Sequence, residues 1–166
     1  MQTSIEIVYA PNGIFKKQAA RVLDVDDKVR FIVDQMFNIM YQHGAVGLGA
    51  NMVGILQRIA VIDLQENNTR QPYVLINPLI TYASSEVQVF EEGSLSYPGI
   101  RAEITRPKHI EVEYLDYNGQ KESLKASGWM ATVIQHELDY LDGKVFLDYL
   151  SPLKRNILLK KMQKSK

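Results

Sequence analysis

The sequence contains no cysteine. This absence excludes disulfide bonds, thiolate catalysis and every metal site that uses a cysteine ligand. It also fits a protein kept in the reducing cytoplasm, and a cytoplasmic location is the expectation that we take from it.

The sequence also lacks a net charge and a long hydrophobic run. Its 19 basic residues match its 19 acidic ones, so overall charge favours neither nucleic acid nor a lipid surface, and we expect no specific DNA binding. No apolar run approaches the roughly 20 residues of a membrane-spanning helix. The first residues lack the basic start and apolar stretch of a signal peptide. We therefore expect no association with a membrane.

The chain has the composition of a globular domain, with 46% hydrophobic and 23% charged residues. Its 166 residues are enough to bury a substantial core. No repeat, linker or low-complexity segment divides them. We predict a single domain over residues 1–166.

Hydrophobic periodicity predicts three helices, at about 27–43, 127–142 and 152–163. In the first, apolar residues recur at spacings of three and four, which is typical of a helix with one buried face. The second is apolar around most of its circumference, as expected of a central buried helix. The third begins with Ser151 and Pro152, which are favourable at a helix N-terminus.

Short apolar or alternating segments predict strands between and after these helices. We predict them at 58–64, 73–76, 84–92, 110–115, 121–125 and 145–147. Asn77-Pro78 is expected to end the second strand, and Asn118-Gly119 is a typical hairpin turn.

Three stretches carry the residues that suggest chemistry. Residues 45–54 are small and rich in glycine, which lets a backbone approach a neighbouring element closely. Residues 92–96 read Glu-Gly-Ser-Leu-Ser, and residues 135–143 read Gln-His-Glu-Leu-Asp-Tyr-Leu-Asp-Gly. The last stretch is similar to the zinc pattern His-Glu-x-x-His, except that Tyr140 stands in place of the second histidine.

Taken together, these stretches resemble peptide deformylase, the metal enzyme that removes the formyl group from N-formyl-methionyl peptides. That family carries Gly-x-Gly-Leu-Ala-Ala-x-Gln, then Glu-Gly-Cys-Leu-Ser, then Gln-His-Glu-x-Asp-His-Leu-x-Gly, in the order found here. The resemblance covers the whole chain. It implies an α+β fold in which antiparallel β-sheets wrap around the central helix.

The departures from the family pattern fall on its metal ligands. The resemblance places the ligands at Ser94, His136 and Tyr140, of which only His136 is retained. A serine hydroxyl is a weak donor compared with a thiolate, and a phenol with a pKa near 10 is an uncommon ligand. The chain is therefore identified as a degenerate member, and no cofactor is expected.

The resemblance also implies roles for other positions. Glu137 corresponds to the general acid and base, and the backbone N–H of Leu95 to a donor for the oxyanion. Met52 replaces a glutamine that donates a hydrogen bond to the reacting oxygens. The substrate pocket is expected to include Val46, Gly47, Leu48, Arg101 and Val133. An alternative for Arg101 is a surface salt bridge.

Three interpretations of function follow. In the favoured one, the fold has lost its metal and its deformylase activity but still binds an N-formyl-Met or Met peptide. Alternatively, the chain is an active deformylase that holds Fe²⁺, Zn²⁺ or Ni²⁺ with substitute ligands such as Asp139. A third possibility is a metal-free hydrolase that uses Ser94 with His136.

Two further hypotheses concern Tyr140 and the C-terminal helix. Tyr140 lies one helical turn after His136, so its hydroxyl could fill the former metal volume and bond to His136 or Ser94. The C-terminal helix could contact an anionic surface such as ribosomal RNA, although a simply solvated face explains it as well. Its basic residues are Lys154, Arg155, Lys160, Lys161, Lys164 and Lys166.

Overall fold

The computed structural model describes residues 5–164. Residues 1–4 of the predicted domain and Lys166 of the basic helix lie outside the described residues. The predicted α+β architecture is confirmed: three α-helices, α1 (Asp27–Gln42), α2 (Gly128–Leu141) and α3 (Pro152–Lys164), accompany two antiparallel sheets. Among these residues, no helix is both long and apolar enough to cross a bilayer.

The strands form one five-stranded sheet and one hairpin. The strands are β1 (Gly47–Gly49), β2 (Ile59–Ile62), β3 (Tyr73–Ala83), β4 (Val87–Ser94), β5 (Tyr97–Pro107), β6 (His109–Leu115) and β7 (Lys121–Ser127). The large sheet has the order β1-β2-β3-β6-β7, and β4 pairs with β5 in the hairpin. The pairings within both sheets are antiparallel.

Helix α2 lies in the centre of the molecule, as its all-round apolar sequence predicts. It contacts β1, β2 and β7 of the large sheet and both strands of the hairpin. Gly143 follows it with φ +76°, and a Cβ atom there would lie 2.9 Å from the Lys16 carbonyl. Only glycine fits this helix end, since the conformation and the close contact both disfavour a side chain.

Helix α1 begins at an aspartate cap and buries the apolar face that its sequence predicts. The Asp26 carboxylate accepts a hydrogen bond from the Val29 N–H at 3.0 Å and so caps the helix. Its apolar stripe is buried against the core, through Val29, Val33, Met36, Ile39 and Met40. Helix α3 begins as predicted, with the Lys154 N–H donating to the Ser151 hydroxyl at 3.2 Å.

Two strand predictions are wrong, and the short strand β1 and the long strand β5 were not predicted. The segment 145–147 is not a strand but leads into a 3₁₀ helix, Phe146–Tyr149, because the Asp148 carboxylate accepts a hydrogen bond from the Val145 N–H. Strand β3 does not end at Asn77-Pro78; Asn77 adopts φ +51° and the register shifts there, while the strand continues to Ala83. Strand β5 was not predicted, although it equals β3 in length.

Candidate functional site

A cavity of about 600 Å³ lies between α2, the segment around β1 and the β4–β5 hairpin. The predicted pocket residues Val46, Gly47, Arg101 and Val133 line it. The predicted chemical positions Met52, Ser94, Leu95, His136 and Glu137 line it too. The structure therefore brings residues from all three sequence stretches to one place.

Leu48 is the pocket residue that was predicted wrongly. It is fully buried in the hydrophobic core and does not line the cavity. It lies between Gly47 and Gly49 on β1, and successive side chains of a strand point to opposite faces. Leu48 consequently faces the core where its neighbours face α2.

Gly47 allows β1 to lie directly against the site. A Cβ atom at this position would lie 3.0 Å from Cγ of Glu137 and 3.1 Å from Cγ1 of Val133. A larger residue would therefore push against the side chain at the bottom of the cavity. This confirms that the small residues of this stretch permit a close backbone approach.

Ser94 and Tyr140 are joined by a short hydrogen bond, as the sequence hypothesis proposed. The distance between Ser94 Oγ and Tyr140 Oη is 2.6 Å, and either hydroxyl can donate. Ser94 Oγ also accepts a hydrogen bond from the Ser96 N–H at 3.2 Å. Tyr140 is 0% exposed, and Phe15 packs edge-on against its ring. Burial raises the pKa of the Tyr140 hydroxyl well above 10, so the phenol is neutral.

His136 belongs to a buried ionic network, which we call the Arg106 network: His136, Glu92, Arg106, Asp139 and Tyr149. The Glu92 carboxylate accepts from His136 Nδ1 at 2.7 Å and from Arg106 Nε and Nη2 at 2.7 and 2.9 Å. Arg106 Nη1 donates to Asp139 at 2.8 Å, and the Tyr149 hydroxyl donates to Asp139 at 2.8 Å. Both ionised members of its centre are therefore fully partnered.

The pKa values of the central ion pair shift as this pairing requires. Burial alone raises the pKa of Glu92, but hydrogen bonds from His136 and Arg106 outweigh it and leave the pKa below its ordinary value. Burial lowers the pKa of Arg106, and its bonds to Glu92 more than reverse this. Glu92 is thus an ionised acceptor, and the Nδ1 of His136 carries the proton between them.

Sequence reasoning missed the Arg106 network. Glu92 lies within the second motif, but its partner Arg106 is 14 residues away on the strand that was not predicted. A signal was present: Arg106 takes a buried position in the alternation of Ile100, Ala102 and Ile104. A charged residue in the buried register of a strand indicates an internal ion pair.

Glu137 contrasts with Glu92 because its carboxyl group is buried without a bonded cation. Its side chain is 5% exposed, and its Oε2 has no hydrogen-bond partner among the described residues. The nearest basic nitrogen, His136 Nε2, is 3.9 Å from Oε1, beyond hydrogen-bonding distance. Burial raises the pKa of Glu137 to about 7, against the smaller opposing effect of His136.

The donors around His136 do not fit the family metal. The Ser94 and Tyr140 hydroxyls are bonded to each other and neutral, which leaves one imidazole nitrogen from the three ligand positions. Within residues 5–164, no group of three His, Cys, Asp or Glu side chains could hold an ion. Asp139, the suggested substitute ligand, accepts hydrogen bonds from Arg106 and Tyr149 and does not line the cavity.

Met52 and Arg101 contribute differently to the cavity. Met52 is buried at the cavity wall, where its thioether has no N–H to donate. Arg101 lines the opening with its side chain 64% exposed and lies 3.6 Å from Glu91, so the surface ion pair that we considered is present as well.

Comparison with known proteins agrees with the fold and the motifs. The family described as "Polypeptide deformylase" matches residues 4–156. A "Peptide deformylase-like" protein of Rickettsia conorii is 65% identical over 159 residues, covering 96% of this chain and 87% of that protein. A "Peptide deformylase" of Rickettsia canadensis is 42% identical over 168 residues, covering 98% and 96%.

A solved structure shows the same architecture. The crystal structure of peptide deformylase from Ehrlichia chaffeensis in complex with actinonin superposes with a TM-score of 0.92 at 39% identity, covering 99% of both chains. The family model, the relatives and the solved structure each cover almost the whole chain, and this chain belongs to the peptide deformylase family.

Proposed function

We propose that this member of the family has lost metal-dependent hydrolysis of N-formyl-methionyl peptides and keeps the cavity as a cytoplasmic binding site for peptide N-termini. The observation that carries the proposal is the 2.6 Å hydrogen bond between Ser94 and Tyr140. It joins two of the three positions where the family has metal ligands. A polar contact within the protein stands where coordination would be needed.

Coordination chemistry supports the loss of the metal. Divalent zinc or iron in a catalytic site takes three strong protein ligands, commonly His, Cys, Asp or Glu. Binding an ion here would require breaking the Ser94–Tyr140 bond and ionising a phenol whose pKa is raised well above 10 by burial. One imidazole from His136 cannot offset these costs against water as the competing ligand.

The shape of the cavity supports the retained binding role. Its volume of about 600 Å³ lies within the range of ligand pockets, and its wall carries apolar side chains beside a few polar groups. Val46, Ile100, Trp129 and Val133 form the apolar part. These groups suit a methionine-like side chain, while Leu95 and Arg101 remain available for a peptide backbone.

Metal content and activity test the proposal together. We expect protein purified with Fe²⁺, Zn²⁺ or Ni²⁺ present, then dialysed, to hold far less than one ion per chain and to release no formate from an N-formyl-Met peptide. Stoichiometric metal with activity that Glu137→Gln abolishes would establish the alternative, an active deformylase. An active family member measured in parallel validates both assays.

Introducing the family residues at these positions tests whether the rest of the site can still bind a metal. We expect Ser94→Cys with Tyr140→His to regain stoichiometric zinc, and the addition of Met52→Gln to regain formate release. The single variant Met52→Gln is the matched control and should bind no metal. If the triple variant folds but binds no ion, the site has changed beyond these positions.

The third interpretation, a hydrolase using Ser94, is not favoured by the contacts. Within the described residues the Ser94 hydroxyl is bonded to Tyr140 and no hydrogen bond joins it to His136, so no base activates it. We expect no labelling of Ser94 by a fluorophosphonate probe.

The ribosome remains a proposed partner of α3. Lys154, Lys160, Lys161 and Lys164 are exposed on this helix, which suits either an anionic surface or solvent. Co-sedimentation with ribosomes, lost in Lys160→Glu with Lys161→Glu, would support the contact.

A further inference from the structure

The opening of the cavity carries basic side chains that its interior does not. Five lining residues are charged or carry an imidazole ring: His43, Glu92, Arg101, His136 and Glu137. Glu92, His136 and Glu137 are 2%, 7% and 4% exposed, whereas His43 and Arg101 are exposed to solvent. Among the lining residues, the ionisable groups that meet a ligand at the opening are therefore both basic.

Arg101 is held across the backbone of the neighbouring strand. A Cβ atom on Gly93 would lie 3.3 Å from Arg101 Nε and 3.4 Å from its Cγ, so the arginine stem covers Gly93. The guanidinium lies 3.6 Å from the Glu91 carboxylate, and the two side chains are 64% and 60% exposed. A pair this long and this exposed contributes little. The guanidinium is therefore positioned at the opening and available to a second carboxylate.

His43 adds an imidazole at the end of α1. It is the C-cap residue, and within residues 5–164 no hydrogen bond or ion pair joins its side chain to another residue. A helix C-terminus ordinarily disfavours an anion because its last carbonyls carry partial negative charge. Here three of those carbonyls accept hydrogen bonds from the backbone N–H groups of residues 43–45. The imidazole is thus a free donor at this side of the opening.

The size of the cavity indicates which part of a peptide reaches these donors. A volume of about 600 Å³ corresponds to a sphere roughly 10 Å across, and an extended chain advances about 3.3 Å per residue. With the first side chain against the apolar wall at Trp129 and Val133, two residues lie inside the cavity. The third residue then lies at the opening, beside Arg101.

Resting on the binding role proposed above, we infer that the opening selects peptides with a carboxylate at the third residue, with Arg101 as its charged partner and His43 as a second donor. The ligand is an N-terminal segment with an acidic third residue, or a tripeptide whose C-terminus supplies the carboxylate. Arginine suits this role because its planar fork donates two N–H groups to one carboxylate.

Trp129 provides a measurement of occupancy by fluorescence, since it is the single tryptophan of the sequence and lines the cavity. Met-Ala-Glu-amide and Met-Ala-Gln-amide differ only in the charge at the third residue. Each is titrated with a free and with a formylated N-terminus, so that the comparison does not depend on the state of the first residue. We expect the glutamate peptide to bind about three- to fivefold more tightly in about 0.05 M salt, as an exposed ion pair allows, and the ratio to approach one in about 1 M salt.

Arg101→Met is the decisive variant because it keeps an unbranched stem over Gly93 and removes the guanidinium. We expect the ratio of the two affinities to fall to near one. The ratio is measured within each protein, so weaker binding of both peptides does not affect it. Arg21→Met removes an exposed arginine outside the lining of this cavity and is the matched control, which should keep the wild-type ratio.

Two further variants measure the contributions of the neighbouring residues. Glu91→Gln removes the carboxylate that shares Arg101, and we expect the ratio to rise by about twofold. His43→Phe keeps a ring and removes the donor, and we expect the ratio to fall by about twofold. A ratio that Arg101→Met leaves at its wild-type value overturns the inference, whatever these two variants do.

Met-Ala-Gln with a free C-terminal carboxyl group distinguishes the two sources of the carboxylate. Tighter binding of the glutamate amide assigns the site to an acidic side chain, and a gain for the free acid alone assigns it to a peptide C-terminus. Either gain, lost in Arg101→Met, supports the inference. Equal binding of all three compounds overturns it while leaving the binding role intact. If none of the compounds binds, the binding role and the inference both fail.

Discussion

Two polar regions lie on neighbouring faces of α2, and they differ in how completely their members are paired. In the Arg106 network, every charged group at the centre has a bonded partner of opposite charge or a histidine N–H. Beside the cavity, Ser94 and Tyr140 satisfy each other, and among the described residues Glu137 Oε2 has no hydrogen-bond partner. His136 is thus held by a complete set of contacts, whereas Glu137 is not.

The residues that hold His136 in place therefore depend on different contacts from the residues that face the cavity. Removing one member of a buried ion pair leaves the other charged and desolvated, which costs far more than the pair contributes. Replacing a single charged residue of the Arg106 network is therefore expected to destabilise the fold. Ser94 and Tyr140 are buried at little cost to folding because their two hydroxyls bond to each other.

The largest expected effect comes from breaking the fully paired region. Arg106→Met removes a guanidinium that is 3% exposed and leaves Glu92 and Asp139 without it. We expect the free energy of unfolding at pH 7 to fall by about 3–5 kcal/mol in urea titrations. Lys125→Met, which breaks the exposed pair with Glu111, is the control and should change it little. Equal losses in both variants would show that burial does not set the cost of breaking these ion pairs.

Removing the charge of Glu137 should instead raise the free energy of unfolding. The pKa of Glu137 is raised to about 7 by burial, so the folded state binds the proton more tightly than the unfolded state. Stability then falls as the pH rises from the ordinary glutamate value towards 7, and levels off above it. Glu137→Gln removes this loss, and we expect it to stabilise the protein by about 1–3 kcal/mol at pH 8.

Thermal and urea unfolding between pH 5 and pH 8 measures this effect. The difference between wild type and Glu137→Gln should be near zero at the acid end and grow with pH. Glu103→Gln, on the surface of β5, should follow the wild-type curve. A Glu137→Gln protein less stable than wild type at pH 8 would contradict a folding cost for ionised Glu137.

The sequence predicted the elements whose signals are local. The periodicity of α1 and α2, the cap at Ser151 and the turn at Asn118-Gly119 each depend on residues close together in the chain. Strand β5 was missed because Pro98 and Gly99 near its start are typical of turns and Arg106 interrupts its apolar alternation.

The residues of the site likewise divide into those with a local sequence signal and those without one. The three motifs point to Ser94, His136 and Glu137, and all three line one cavity. The hypothesis for Tyr140 was a bond to His136 or Ser94, and the structure shows the bond to Ser94. The partners of His136 depend on the register of β4 against β5, which no local pattern provides. The error at Leu48 has a similar origin, because β1 was not recognised as a strand with two faces.

A smaller loss of stability is expected when the hydrogen bond between Ser94 and Tyr140 is removed. Ser94→Ala leaves the Tyr140 hydroxyl buried without a partner, and Tyr140→Phe removes one of the two bonds of Ser94. We expect each to lower the free energy of unfolding by about 1–2 kcal/mol. In the double variant no hydroxyl remains unpaired, so the loss should be clearly less than the sum of the two.

Additive losses in this cycle would mean that the two hydroxyls do not depend on each other. The pair would then be no substitute for coordination, and only the weakness of neutral hydroxyl donors would disfavour a metal. The measurement is urea unfolding of all four proteins at one pH, in the presence of a chelator so that no adventitious ion contributes.

The smallest effect is expected at the solvent edge of the Arg106 network. Tyr149 is 42% exposed, and its hydroxyl bonds to Asp139 at 2.8 Å, while Arg106 and Lys144 lie over its ring. Tyr149→Phe keeps both ring contacts and removes only the hydroxyl, whose place water can take. We expect a loss of about 0.5–1 kcal/mol, well below that of Arg106→Met, in the same urea titrations. A loss as large as that of Arg106→Met would mean that the network extends to the surface as one unit, and the cost of breaking it would not depend on burial.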